Sequence, residues 1–275
     1  MIKRILLGLG GTPFTSVATQ CAIELAQTHG AELTGITVVD IVRLKDVGRT
    51  TPGHATYTKR IGAERVNVTE TRVREAVEQF AAACSDAGVT YRVERESGNP
   101  FDLMVSHTRY YDLIVFGLRG LFEYGVVRDP EDALIRLIGQ GVRPVLAVAS
   151  AHRRIQRVLI AYSGSMESAQ AMKRFVQMRL WRDVALEIVC CEKGQFEAAK
   201  LLEDAATYCR AHGFEPGVKD IAGPAREHLL AYAKERQADL IVMGNSIRNL
   251  LLRHLLGDTM LHTIQNADLP LLLAQ

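Results

Sequence analysis

The sequence predicts two tandem α/β domains, each built on a five-stranded parallel sheet with helices on both faces. Three observations support this fold class. The chain repeats itself, strands alternate with helices along each repeat, and several strands are apolar throughout, which is typical of parallel sheets covered on both faces. The length of 275 residues suits one large domain or two small ones, and the repeat decides for two.

The repeat consists of three pairs of similar segments that occur in the same order in both halves. Self-similarity of this kind marks a duplicated structural unit. We place the seam in the polar stretch 150–156, which predicts domains at 1–150 and 151–275. The pairs are Lys3–Thr12 with Gln156–Ser165, Tyr111–Gly117 with Ala238–Gly244, and Arg143–Ala149 with Leu269–Gln275.

Each element of the first half follows from its residue pattern. Short apolar or β-rich runs predict strands, and apolar residues at helical spacing predict helices, the second of which Gly88 closes. The predicted strands are RILLGL (4–9), ELTGITVV (32–39), TYRVERE (90–96), LIVFG (113–117) and PVLAVA (144–149). The predicted helices are 16–29, 66–87, 100–109 and 131–138.

Composition excludes several classes of function. A net charge of +2 argues against a broad nucleic-acid surface, and no apolar run reaches the roughly 18 residues of a membrane span. The N-terminal MIKRILLGLGG reads as a strand and not as a signal peptide. Five cysteines without C-x-x-C spacing indicate a cytoplasmic protein, and the eight histidines show no metal-ligand spacing, so no metal is expected. The neighbours Cys190 and Cys191 are interpreted as buried strand residues, with a redox pair as the alternative.

An insertion distinguishes the first half. The repeat offset is 153 residues at Gly11 and Gly164 but 127 at Gly117 and Gly244, so the first half carries about 26 extra residues. They fall at 41–66, after the second strand and on the side where α/β sheets bind ligands. We interpret this stretch as a basic loop that covers an anionic ligand; a flexible excursion or a contact between the halves is the alternative. Its basic residues are Arg43, Lys45, Arg49, Lys59, Arg60 and Arg65, against Asp46 and Glu64.

Three segments of the second half resemble the universal stress protein family. They are GSMESAQAMKRF, AGPAREHLLAYAKERQADLIVMG and LLGDTMLHTIQNADLPLLL. The resemblance covers essentially the whole chain as two fused domains, each of Rossmann-like, adenine nucleotide alpha hydrolase-like type. It implies that the last strand of each half pairs with the other across a two-fold axis, which makes an intramolecular pseudo-dimer and covers two sheet edges. Whether two chains associate further is left open.

The resemblance also implies a ligand cleft. Nucleotide-binding members carry Gly-x-x-Gly, nine residues, then Gly-Ser or Gly-Thr, with an Asp at the end of the first strand. Glycines let the backbone approach phosphates, and the carboxylate takes ribose hydroxyls. The candidate ligand-binding residues of the first half are therefore Gly10, Gly11, Thr12, Val38, Val39, Gly117, Arg119 and Gly120. Those of the second half are Ser163, Gly164, Gly244 and Gly257.

Neither half keeps the whole motif. The first half has Pro130 and Glu131 where Gly and a hydroxyl residue are expected. The second half has Ile247 at the middle glycine and Asp258 at the hydroxyl position, with Thr259 one residue late. Gly10 and Ser163 stand in place of the Asp. ATP or AMP is therefore the cofactor class that the resemblance allows, and no cofactor is certain.

We expect a stress-response protein that is not an enzyme and has no catalytic residues. It would bind a small ligand or a protein partner, with no nucleic acid and no membrane among its partners. The alternative is an ATP-binding or ATP-hydrolysing family member, or a nucleotide-dependent enzyme. For the last, YSGSMES (162–168) is similar to the pyrophosphate loop S-G-G-x-D-S, although Ser165 replaces a glycine and Glu167 the aspartate.

Overall fold

The computed structural model describes residues 2–39, 55–98, 100–117, 144–191, 195–244 and 258–274. The strands of the first half are β1 (Arg4–Gly8), β2 (Glu32–Val39), β3 (Tyr91–Ser97), β4 (Leu113–Phe116) and β5 (Val145–Ala147). Those of the second half are β6 (Arg157–Ala161), β7 (Ala185–Cys191), β8 (Pro216–Ile221), β9 (Leu240–Gly244) and β10 (Leu271–Ala274). All five strands predicted for the first half are therefore confirmed.

The ten strands form one sheet in the order β3-β2-β1-β4-β5-β10-β9-β6-β7-β8. Within each half every pairing is parallel, and the two halves have the same strand order. The α/β fold with two five-stranded parallel units is confirmed. The predicted seam lies between β5 and β6, the last strand of one half and the first of the next.

The helices described are α1 (Phe14–His29), α2 (Ala55–Asp86), α3 (Pro100–His107), α4 (Met166–Met178), α5 (Gln195–Ala211), α6 (Ala225–Glu235) and α7 (Asp258–Asn266). Helices α1 and α3 lie within two residues of their predicted bounds. The helix predicted at 131–138 lies outside the described residues. In the ranges that are described, no helix combines the length and apolarity needed to cross a membrane.

The central strands are apolar throughout because both of their faces are buried. On β1, Ile5 and Leu7 belong to the core on one side of the sheet, whereas Leu6 belongs to the core on the other. Strand β9 does the same, with Leu240 and Val242 on the first side and Ile241 on the second. Successive side chains of a strand point to opposite faces, so a strand covered on both faces needs an uninterrupted apolar run.

The two halves meet where β5 and β10 pair antiparallel. Leu272 lies opposite Leu146, flanked by the pairs Leu271 with Ala147 and Leu273 with Val145. Both central leucines are almost completely buried. The predicted pairing of the two last strands, and with it the intramolecular pseudo-dimer, is confirmed.

The aspartate of the Asp-Leu-Ile-Val segment that both repeats share has a structural role. Asp112 Oδ2 accepts hydrogen bonds from the backbone N–H groups of Lys3 (2.8 Å) and Arg4 (3.1 Å). Asp239 Oδ2 accepts the equivalent pair in the second half, at 3.0 and 2.8 Å. A carboxylate that accepts two backbone N–H groups ties the start of the first strand to the start of the fourth in each half.

One prediction about the insertion is wrong. The sequence predicts a loop over 41–66, but α2 begins at Ala55, so residues 55–66 are helical. Pro52 and Gly53 precede this start, and no proline follows within the helix. The apolar pattern missed the first turns because residues 55–65 contain one large aliphatic residue, Ile61, and therefore no apolar stripe. The remainder of the predicted loop, 41–54, lies outside the described residues.

A substitution on β10 tests whether the pairing of β5 with β10 stabilises the chain. Leu272→Ala should lower the free energy of unfolding by about 2–5 kcal/mol, because it removes a fully buried leucine between the halves. Denaturant titration followed by circular dichroism measures the effect. Val218→Ala, on the outermost strand and 46% exposed, is the control and should change stability by only about 0.5 kcal/mol. Equal stability of the two variants would contradict a stabilising role for the pairing of β5 with β10.

Candidate functional site

The predicted cleft residues lie at the carboxyl edge of each five-stranded unit. In the first half, Gly10–Thr12 connects β1 to α1, and Gly117 follows β4, the strand beside β1. In the second half, Ser163–Ser165 connects β6 to α4, and Gly244 ends β9, the strand beside β6. The structure therefore brings these residues together within each half, as the sequence predicts for a doubly wound sheet.

Both glycines that follow the fourth strand of their half pack against the protein itself. A Cβ at Gly117 would lie 2.4 Å from Cβ of Phe14, in the first turn of α1. A Cβ at Gly244 would lie 2.3 Å from the backbone oxygen of Glu167, in the first turn of α4. These glycines are required for close contact between strand and helix, whether or not a phosphate binds.

The backbone conformation after the first strand of each half requires a glycine. Gly11 has φ +63° and Gly164 has φ +77°, in the left-handed region that favours glycine. The second helix of each half covers them. The backbone oxygen of Arg72 on α2 lies 3.2 Å from the Cβ position of Gly11, and Leu201 on α5 lies 2.9 Å from that of Gly164. Arg72 approaches Gly11 with its Cβ and its backbone carbonyl, whereas Leu201 approaches Gly164 with the end of its side chain.

The second-half loop satisfies its own polar groups. Ser165 is the N-cap of α4, and its hydroxyl accepts from the N–H of Ser168 at 3.2 Å. The hydroxyl of Ser168 in turn donates to the carbonyl of Ser165 at 2.9 Å and accepts from the N–H of Ser163 at 3.3 Å. Glu167 adds a negative charge to the first turn. A capped, acidic helix start is a poor site for an anion.

The first-half loop differs at the corresponding positions. Helix α1 starts after Pro13, which makes no side-chain cap hydrogen bond, and its first turn contains no acidic residue. Gly10 is exposed, and its Cβ position meets nothing closer than Cγ2 of Thr12 at 3.9 Å. The N–H of Thr12 is already engaged by Thr15 Oγ1 at 3.1 Å. Within its own first turn, α1 thus supplies neither a side-chain cap nor a carboxylate to its positive end.

The remaining predicted site residues divide into two groups. Val38 and Val39 end β2, next to β1, and therefore reach the same edge as Gly10. Thr259, the substitute hydroxyl, is half-buried in the first turn of α7. Arg119, Gly120 and Gly257 lie outside the described residues.

The structure also assembles a cluster that the histidine spacing does not show. His107 at the end of α3 lies against Glu94 and Glu96 of β3, with Nε2 2.7 Å from Glu96 Oε1 and Nδ1 3.8 Å from Glu94 Oε2. The pattern Glu-x-Glu on a strand is the one signal in the sequence, since it places both carboxylates on one face.

The redox alternative for Cys190 and Cys191 finds no support in the geometry. Neither cysteine forms a disulfide, and Cys190 is completely buried. As neighbours on β7, their side chains point to opposite faces of the sheet.

The described residues also form a cleft of about 580 Å³ away from the predicted site. It lies at the amino edge of the second half, where Arg157 begins β6 and Asp239 precedes β9. Arg157 donates to Gln237 Oε1 at 2.8 Å, and Asp239 accepts two backbone N–H groups. Both charged groups therefore already serve the fold.

Fold and loops together define a tandem α/β protein with a glycine-containing loop after the first strand of each half. Comparison with known proteins identifies the family. The sequence profile of the universal stress protein family matches residues 1–138 and 191–275, one segment in each half. The chain belongs to the universal stress protein family, as its motifs predict.

Similar proteins share the full length of the chain. It is 24% identical to universal stress protein Slr1230 of Synechocystis sp., over 98% of this chain and 99% of that protein. The structure is similar to that of a universal stress protein from Archaeoglobus fulgidus, with a TM-score of 0.70 and 17% identity over 99% of this chain and 96% of the other. A universal stress protein of Pseudomonas aeruginosa gives a TM-score of 0.65 and 14% identity, over 99% and 93%.

The packing of Gly244 predicts a cost of substitution that is independent of any ligand. Gly244→Ala should lower the free energy of unfolding by roughly 1–3 kcal/mol without nucleotide, because its Cβ would meet the Glu167 backbone. The control is Gly217→Ala on β8, where the nearest atom is 3.7 Å away; it should stabilise by at most about 1 kcal/mol. Thermal denaturation compares them. If Gly244→Ala melts no lower than Gly217→Ala, the packing role is refuted.

Proposed function

We propose that this chain acts in a stress response without catalytic chemistry, by binding a small anionic ligand in the cleft of its first half. Membership of the family supports the stress-response role. A nucleoside phosphate is the first ligand to test, since the motifs of both halves are fragments of a nucleotide-binding pattern. A protein partner at the same cleft is the competing occupant.

The difference between the two helix starts carries the proposal. Backbone N–H groups and the helix dipole make a helix N-terminus attractive to anions. In the second half, Ser165 and Glu167 already supply a cap and a negative charge. In the first half, the first turn of α1 has neither, and Gly10 leaves open space beside it. The same fold thus has a helix start with its own cap and carboxylate in one half and a helix start with neither in the other.

The side chains near the loops support a non-catalytic role. The hydroxyls of Ser163, Ser165 and Ser168 contact one another, and within the described ranges no histidine hydrogen-bonds to any of them. A serine nucleophile needs such a base.

Three cysteine thiols on helices α1, α2 and α5 are also poor nucleophiles. Burial, and next the charge of Glu24, raises the pKa of Cys21 to about 12. Burial raises the pKa of Cys84 to about 11, and does the same for Cys209. These three thiols therefore stay protonated at neutral pH, whereas the thiolate is the reactive form.

A charge placed in the first turn of α1 tests the ligand site. Ser16 is exposed there, and Ser16→Glu should keep or raise the melting temperature of the free protein, because a carboxylate stabilises a helix start. The same carboxylate should repel an anionic ligand. With the wild type, ATP, ADP, AMP or phosphate at about a hundredfold its Kd should stabilise by about 2.7 kcal/mol, roughly 5 °C. Thermal shift with and without Mg²⁺ measures both effects.

The matched control is Gln170→Glu, which adds the same charge to an exposed position on α4. It should leave the ligand-induced shift intact. A shift that persists in Ser16→Glu would remove the site from the first half. No shift with any of these ligands would overturn the anionic-ligand proposal in favour of a protein partner, and conversion of ATP to ADP by the purified chain would overturn the non-catalytic role.

A further inference from the structure

The cluster of His107, Glu94 and Glu96 lies on the outermost strand of the first half. The two glutamates are alternate residues of β3, so their side chains share one face of the sheet. His107 ends α3, which follows β3 after a short connection and packs on the same face. Tyr111 closes the inner side, with its ring centroid 6.1 Å from the imidazole. The fold alone therefore brings the three groups together.

The ligand atoms of the three side chains converge. One atom from each, an imidazole nitrogen and two carboxylate oxygens, lies within 4.8 Å of the other two. Nitrogen and oxygen ligands of one tetrahedral zinc ion lie about 3.4 Å apart, given bond lengths of about 2.0–2.2 Å. Binding therefore requires the two glutamate side chains to move closer to the imidazole.

The charge of the cluster is unbalanced. In the described part of the chain, neither carboxylate pairs with an arginine or lysine; Arg92, on the same strand, pairs with Glu32 instead. With a neutral imidazole the cluster carries two negative charges, and a divalent cation would neutralise both. The three side chains are 19–36% exposed, which leaves room for water to complete the coordination shell.

We propose that Glu94, Glu96 and His107 form a binding site for one divalent transition-metal cation. Imidazole nitrogen with carboxylate oxygen suits Zn²⁺ and Mn²⁺, whereas Mg²⁺ prefers oxygen ligands and water. Glu94 is the middle residue of β3, and Tyr111 precedes β4 beside the start of β1, so the site lies apart from the loops at the carboxyl edge. The proposal does not depend on the anionic ligand.

Titration of the full, metal-stripped chain with Zn²⁺ by calorimetry tests the site. The expected result is one equivalent bound per chain, with affinity for Mg²⁺ at least tenfold lower. Glu94→Gln and Glu96→Gln preserve shape and remove one charge each, and His107→Gln removes the nitrogen ligand. Each should weaken Zn²⁺ binding at least about tenfold, since even outer-shell changes cost that much. Circular dichroism confirms that each variant is folded.

Two controls separate this site from other metal ligands. His152→Gln breaks a histidine pair with a single glutamate, Glu24, and should leave Zn²⁺ binding unchanged. Co²⁺ as a probe should give ligand-field bands without a thiolate charge-transfer band, because no cysteine belongs to the cluster. Wild-type affinity in Glu94→Gln and Glu96→Gln, a thiolate band, or no bound Zn²⁺ would overturn the proposal, and the cluster would then be an ion pair only.

Discussion

The antiparallel pairing of β5 with β10 is the interaction on which the architecture depends. Each strand is the edge of its own five-stranded unit, and the pairing merges two short sheets into one of ten strands. Because every other pairing is parallel, the strands of the two halves run in opposite directions. The carboxyl ends of the strands in the two halves therefore lie at opposite edges of the sheet. One small ligand cannot contact the loops of both halves, so each half must bind a ligand independently.

The pairing leaves β3 and β8 as the outer strands, and their residues suit exposed edges. Strand β8 contains Pro216, and Lys219 is exposed; proline and lysine both discourage pairing with another chain. On β3, Glu94 and Glu96 place two carboxylates on the edge strand, next to His107. The β8 edge is thus protected by a proline and a lysine. The β3 edge is protected by carboxylates that also belong to the proposed metal site.

Sequence patterns predicted the elements whose residues are buried and missed features that leave no apolar pattern. The strands were evident because residues such as Ile5, Leu6 and Leu7 are buried on both faces. The start of α2 at Ala55 was not, because residues 55–65 contain one large aliphatic residue and therefore no apolar stripe. The contact of His107 with Glu96 was hidden for another reason. It joins a strand to a helix, and the rotation of a helix relative to a sheet cannot be read from residue spacing.

The same reasoning changes the meaning of the glycine motif. Gly117 and Gly244 look like a retained phosphate loop, yet each is held in place by the first turn of a neighbouring helix. A chain that lost its nucleotide would still need them, and it would also need Asp112 and Asp239, which tie two strands together. Features that both halves share therefore report on the fold. Evidence for a ligand has to come from positions where the halves differ, and those positions surround the start of α1.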